Sequence, residues 1–411
     1  MFYGIDSLTL SIAFFCGLLL LSAAVKHYTK KWFLPPEGWI LLLGLGYGIT
    51  GRHTDWQWQP ELALEPHIVL TLFLPLLIFA SGRMIRPDVL KSAAAPIGFF
   101  AILGVIATAF IIGWPVALLA GIPLVHGLVL GAATSAVDPA AVGSIFKSFE
   151  MPERLKTIIE GESLFNDGVT VVLFTLISAL ALGNTVFDPA DTAFDFLWAV
   201  LAAIPLGLSA GWLAATLLCR WGEDQSFFTA SISVILAYGT FLIAEDILHV
   251  SGVIAVLMAA IVFSKMWSVS GTDEKTKEKA RMMGAFWDYI SQTLNAFLFF
   301  MLGAMSGAHD FSALPFTITI AAVAVLLLSR AAIAYGGGAL LRFPISWQNV
   351  MMLGGLRGGI SAALVLLIPH DYAHQQMFLC LAFIMIAFTL IVFPPLLSVY
   401  LKRADMSSSK A

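Results

Sequence analysis

Along almost its whole length the sequence alternates apolar runs of roughly twenty residues with short polar or Gly/Pro-rich interruptions. A run of that length, coiled into a helix, matches the ~30 Å hydrocarbon thickness of a bilayer. About thirteen such runs can be read, near 7–25, 37–51, 66–82, 94–120, 124–146, 157–182, 193–219, 226–244, 248–264, 284–306, 313–341, 346–369 and 374–401. They leave little more than loops and ends, so a large soluble domain is excluded. Composition agrees. Of the 411 residues 59% are hydrophobic and 12% charged, and mean hydropathy is +0.90, whereas soluble domains are roughly 45–50% apolar. The expected fold class is an all-α integral membrane protein with about thirteen transmembrane helices.

The formal charge is −4, and the 22 lysines and arginines are dispersed among short loops. No continuous basic surface results, so nucleic acid is not an expected partner and the lipid bilayer is. Sorting basic residues into alternate loops puts Lys26, Lys30, Lys31, Arg83, Arg86, Lys91, Lys147, Arg154, Lys156 and Arg220 on one side. The lysine-rich loop around 265–283, Arg342, Lys402, Arg403 and Lys410 join them. Arg52 alone falls on the other side, while Arg330 and Arg357 lie within runs. Because basic residues accumulate in cytoplasmic loops, this predicts an outside N-terminus and a cytoplasmic C-terminus in the cell (inner) membrane. The first run lacks the basic start and cleavage site of a secretory signal and reads as a retained span. Cys16, Cys219 and Cys380 fall far apart at apolar positions and read as small buried hydrophobes rather than disulfide partners.

Thirteen runs divide as six, one and six, and a single span between two six-helix halves gives them opposite topology. Two runs are interrupted at corresponding places. The fifth contains Asp138-Pro139 and the twelfth Gly354-Gly355-Leu356-Arg357-Gly358-Gly359. Proline removes a backbone donor and glycine weakens a helix. The expectation is two inverted six-helix repeats with discontinuous helices 5 and 12, and paired breaks of this kind point to a transport site.

Charge inside hydrocarbon is costly, at least ~2.5–3.5 kcal/mol per group, so it marks function by default. The sixth run carries Glu160-Gly161-Glu162-Ser163-Leu164-Phe165-Asn166-Asp167. On a helix, 162 shares a face with 166 and 163 with 167. Asp167 lies about ten residues into the run, ~15 Å deep and near the bilayer midplane. A carboxylate in a narrow wet cavity holds either a proton or a dehydrated monovalent cation. Mutual exclusion at one such site couples the movements of the two, which is antiport chemistry. A single titrating carboxylate predicts one proton for one cation and no net charge moved. The plain structural alternative is a buried acid paired with Arg357 for folding alone.

Asp138 reads as a helix cap, an ion ligand or both. Arg330 reads as structural; Asp288 and Asn295 share a helix face and read as packing residues or as partners of Arg357 or Arg330. His53, His67, His249, His309, His370 and His374 fall near outer loops and read as solvated. The stretch Gly44-Leu45-Gly46-Tyr47-Gly48 reads as close helix packing.

Val137-Asp138-Pro139, Glu162-Ser163-x-x-Asn166-Asp167 and Gly355-Leu356-Arg357-Gly358-Gly359, taken with the span count, resemble the NhaP type of cation:proton antiporter, related to the animal sodium/proton exchangers. The resemblance covers nearly the whole chain. It implies an ion- and proton-binding site made of Asp167, Asp138, the Ser163 hydroxyl and the main-chain carbonyl of Val137. Transported Na+ would be held there by Asp167, Asp138 and Ser163. It further implies Asn166 as a structural hydrogen-bonding partner and an ion pair between Glu162 and Arg357. A core bundle, approximately 88–182 and 313–401, would slide against a dimerisation bundle, approximately 1–87 and 191–306, in a homodimer. There would be no catalytic residue and no cofactor beyond the transported Na+ or Li+ and H+. The chain departs from the family pattern at two positions: Val137 stands where a threonine is usual, and Ala80 where many members carry an acid in the third span.

The expected activity is exchange of Na+ or Li+ for H+, with K+/H+ exchange as the alternative within the class. A cation channel would need a repeated carbonyl filter. An intramembrane hydrolase would need a nucleophile and base in contact, and would leave Arg357 and the two breaks unexplained.

Overall fold

The computed structural model describes residues 7–29, 34–53, 69–85, 87–138, 146, 149, 151–183, 188–221, 226–269, 274–311, 314–369 and 371–404. Lys30, Lys31, His67, Arg86, Pro139, Lys147, His370 and Lys410, singled out above, lie outside the described residues.

All regular structure among the described residues is helical. In chain order the helices are α1 (Ser7–Tyr28), α2 (Pro36–His53), α3 (Leu74–Gly82), α4 (Pro87–Gly98), α5 (Val105–Ala120), α6 (Leu124–Ala133), α7 (Glu153–Ala181) and α8 (Pro189–Trp221). There follow α9 (Ser226–Leu242), α10 (Gly252–Val269), α11 (Glu274–Ala308), α12 (Phe316–Ala331), α13 (Ile345–Leu353), α14 (Gly359–Leu366) and α15 (Gln375–Ala404). Among the described residues seven continuous helices are long and apolar enough to cross a bilayer, including Glu153–Ala181, Ala280–Ala308 and Gln375–Ala404. Wider π-helical turns join α4 to α5 (Phe99–Gly104) and extend α9 (Ile243–Ile247) and α12 (Ala332–Gly337).

In lipid, helices associate through close backbone packing rather than by hiding apolar surface from water. The pair α2 and α11 illustrates this. A Cβ at Gly48 would lie 2.1 Å from the Ala304 carbonyl oxygen, and one at Gly303 would lie 2.2 Å from that of Leu41. The two backbones touch, as the glycine pattern predicts for Gly44 and Gly48, while Gly46 faces open space. Farther along α11, the fully buried Trp287 donates its Nε1–H to Ser233 Oγ of α9 at 3.1 Å and packs against Phe79 of α3. Asp288 accepts a hydrogen bond from Arg83, so it serves neither Arg330 nor Arg357: it sits exposed near the rim, away from both.

A second set packs α5 against α6, α4 and α6 against α7, and α14 against α15. α15 is apolar on all sides and largely buried, the pattern of a helix enclosed by others. Its Cys380 is buried as expected, but Cys16 on α1 and Cys219 on α8 are exposed on the outer surface. A thiol on a lipid-facing helix flank meets hydrocarbon as it would in a core, so apolar sequence context does not separate the two.

Candidate ion site

The fifth run loses its helix well before Asp138. Thr134 and Ser135 turn their hydroxyls back onto the carbonyls of Leu130 (2.7 Å) and Ala132 (2.8 Å), competing with the backbone ladder. Residues 136–138 then run without helix, as a residue before proline is pushed to do. In the twelfth run α13 stops at Leu353 and α14 starts at Gly359, with an irregular stretch between. The two unwound stretches cross. Asp138 donates its amide to the Leu356 carbonyl at 2.8 Å, and Ser361 Oγ donates to the Ala136 carbonyl at 3.1 Å. The approach is so close that a Cβ on Gly358 would lie 2.1 Å from the Asp138 Cβ.

A helix end leaves its last carbonyls unpaired and carries partial negative charge. Here each broken helix has an arginine at that end. Arg357, 1% exposed, donates through Nη1 to the carbonyls of Ser135 (2.7 Å) and Ala136 (3.2 Å), just beyond the end of α6. Arg330 donates through Nε to the Met351 carbonyl at 3.0 Å in the last turn of α13, and through Nη1 to Glu162 Oε1 at 2.6 Å. This corrects the expected ion pair: Glu162 is bridged to Arg330, not Arg357. Arg357 is taken up by the carbonyls of Ser135 and Ala136, the latter shared with the Ser361 hydroxyl, whereas Arg330 lies over Gly355, where a Cβ would lie 2.0 Å from its Nε.

α7 presents two faces to this assembly. Glu162 and Asn166 turn one way. Asn166 Oδ1 accepts from Thr170 Oγ1 at 3.0 Å, and the Thr170 hydroxyl lies 3.0 Å from that of Ser135, tying α7 to the first unwound stretch. Ser163 and Asp167 turn the other way, each 6% exposed, into a cavity of about 760 Å³. Asp138, Asn295 and Ser361 share its wall, and Val137 is buried beside them. The cavity reaches the surface among the exposed Lys26, Lys156 and Glu160. Leu77 and Ser81 of α3 line it, with Ala80 buried between them.

Among the described residues Asp167 makes no ion pair with either arginine: Arg357 Nη1 goes to carbonyls, and Arg330 to a carbonyl and to Glu162. The carboxylates of Asp167 and Asp138 and the Ser163 hydroxyl therefore share one cavity large enough for water-sized guests. Oxygen donors of this kind suit a hard monovalent cation or a proton. Sequence reasoning missed Thr170, although it lies four residues beyond Asn166; Arg330 is structural as expected, with Glu162 as the partner that the sequence did not name. His374, read as solvated, is half-buried in a cluster with His126, Tyr372 and Phe378.

Residues 11–403 match the family described as sodium/hydrogen exchanger, transmembrane. The chain is 30% identical to the low-affinity Na+/H+ antiporter NhaS1 of Synechocystis over 80% of its own length and 63% of that protein's. It thus spans less than two thirds of that relative. With the Na+/H+ antiporter NhaH of Halobacillus dabanensis it shares 30% identity over 95% of this chain and 96% of the other. For the Na+/H+ antiporter NhaP of Pseudomonas aeruginosa the identity is 31%, over 93% of both. The fold matches the solved structure of the sodium proton antiporter MjNhaP1 from Methanocaldococcus jannaschii at pH 8, with a TM-score of 0.77, 19% identity, and coverage of 94% of this chain and 99% of that one.

Proposed function

The chain belongs to the sodium/hydrogen exchanger family, and from that premise we propose that it is a secondary antiporter exchanging Na+ or Li+ for H+ across a membrane, a transporter rather than an enzyme. The observation that carries this reading is the position of Asp167: buried at the inner end of the cavity, beside Ser163 and Asp138, with no arginine paired to it. Proton and cation compete there, and only a loaded carboxylate crosses. An uncompensated charge is costly to move through a low-dielectric barrier, so the empty site does not leak.

In this reading the cation ligands are Asp167, Asp138, the Ser163 hydroxyl and the Val137 carbonyl. The Asn166–Thr170–Ser135 chain keeps α7 in register with the unwound stretch. Arg357 and Arg330 brace the two broken helices. The cavity opens on the face of Lys26 and Lys156, which the charge asymmetry assigns to the cytoplasm of a cell membrane. The described conformation is then the inward-open one. Alternation comes from a core bundle, approximately 88–182 and 313–401, moving against a dimerisation bundle in a homodimer. With one carboxylate changing load, exchange is one-for-one and electroneutral.

Proteoliposomes enclosing a pH-sensitive dye test the proposal. Adding Na+ or Li+ is expected to drive proton movement in the wild type and none in Asp167→Asn. A full signal from that variant would remove Asp167 from the mechanism, and a response to K+ alone would reassign the ion.

A further inference from the structure

Glu37 stands in the first turn of α2 and is partly buried. The contacts between α2 and α11 set its depth. A Cβ on Gly44 would meet the Phe300 carbonyl and one on Gly48 the Ala304 carbonyl, so the helices run parallel with a constant offset. Seven residues back from Gly44, Glu37 comes level with the turn of α11 that carries Gln292 and Asn295. Both of those line the cavity, as Glu37 does, and Asn295 Oδ1 lies against the Gly359 backbone at the crossing. Glu37 shares the cavity with Asp138 and is close enough to interact with it electrostatically.

One oxygen of Glu37, Oε2, is shielded from solvent and has no hydrogen-bond partner. The nearby cation, Lys26, acts on the Glu37 carboxylate electrostatically but gives its hydrogen bond to Gln292 Oε1. An acid in a first helical turn is favoured by the helix dipole, but the dipole does not account for an orphaned carboxylate oxygen, which is costly to leave unpaired. Oε2 admits no water-sized neighbour in this conformation, but the cavity that Glu37 lines is wide enough for a cation to keep part of its water shell. A turn of the side chain would give the orphaned oxygen such a partner, and two carboxylates on one low-dielectric cavity concentrate cations between them.

We propose that Glu37 is a further cation-binding residue, a staging site that holds a partly hydrated monovalent cation in the cavity opposite Asp138. The direction of travel, from Glu37 to Asp167, rests on the antiport reading; the binding itself does not.

Two readouts test it. In purified wild-type protein, modification of Glu37 by a hydrophobic carbodiimide, located by peptide mass spectrometry, is expected to fall as Na+ is raised. In liposomes, Glu37→Gln, which keeps the side-chain size, is expected to raise the apparent KM for Na+ about tenfold, the scale of one lost charge-assisted contact. Glu37→Asp is expected to lie between. Modification indifferent to Na+, or a wild-type KM in a folded Glu37→Gln, would overturn the staging site. Should Glu37→Gln not fold, the wild-type modification assay decides alone. Sodium-protected Glu37 in a protein that moves no protons would uphold the staging site and discard the antiport reading.

Discussion

Nη1 of Arg357 lies 2.7 Å from the carbonyl oxygen of Ser135, so the end of one broken helix is closed by a side chain carried on the interruption of the other. Arg330 makes the corresponding contact with Met351 at the end of α13. Unwound backbone is tolerated at membrane depth only where protein satisfies it, and these two guanidiniums do that. Removing the first strands the Ser135 carbonyl, while that of Ala136 keeps the Ser361 hydroxyl. Arg357→Ala is expected to cost about 1–3 kcal/mol for the carbonyl left unpaired, read as a lowered Tm in detergent. An unchanged Tm would show that the carbonyl finds another donor.

The bridge between Arg330 and Glu162 is buried, with 5% and 2% of the side chains exposed. Such a pair contributes little net stability over an apolar replacement, but breaking it isolates a charge at about 3–5 kcal/mol. Arg330→Met alone is therefore expected to destabilise strongly, and Arg330→Met with Glu162→Gln markedly less. A thermodynamic cycle on the unfolding free energies measures the difference; additive losses would contradict the bridge.

Gly358 is where the two unwound stretches touch. An added methyl would lie 2.5 Å from Asp138 Oδ2, and Asp138 cannot retreat without giving up its bond to Leu356. Gly358→Ala is expected to cost about 1–3 kcal/mol through overpacking and to abolish exchange, because the strain falls on a carboxylate of the site. Cation-driven proton flux near the wild-type level in this variant would mean that the crossing tolerates displacement.

Much of this arrangement is legible in the sequence because lipid restricts the options. Helix-length apolar runs, Asp138-Pro139 and the Gly354–Gly359 stretch mark the helices and both interruptions. The four-residue spacing separates Ser163 and Asp167 from Glu162 and Asn166. What spacing does not reveal is which helix faces which. Arg330 and Arg357 both sit in apolar runs, and only the crossing shows that Arg357 is consumed by carbonyls, leaving Glu162 to Arg330. Glu37 opens the second apolar run, and nothing local tells that α2 begins level with Asn295.

One-for-one exchange makes a further statement about voltage. If the cation and the proton ride the same carboxylate in opposite directions, no net charge crosses in a cycle. The exchange rate in liposomes clamped at different potentials is then expected to stay nearly constant. A steep dependence, scaling as roughly 2.3 kcal/mol per charge per 100 mV, would require a second proton.

The most direct test of the central claim is calorimetric. Na+ is titrated into the detergent-solubilised protein in two buffers of different ionisation enthalpy, which gives the number of protons released on binding. About one proton per Na+ is expected from the wild type, and none from Asp167→Asn. Sodium binding to the wild type without proton release would contradict competition at Asp167.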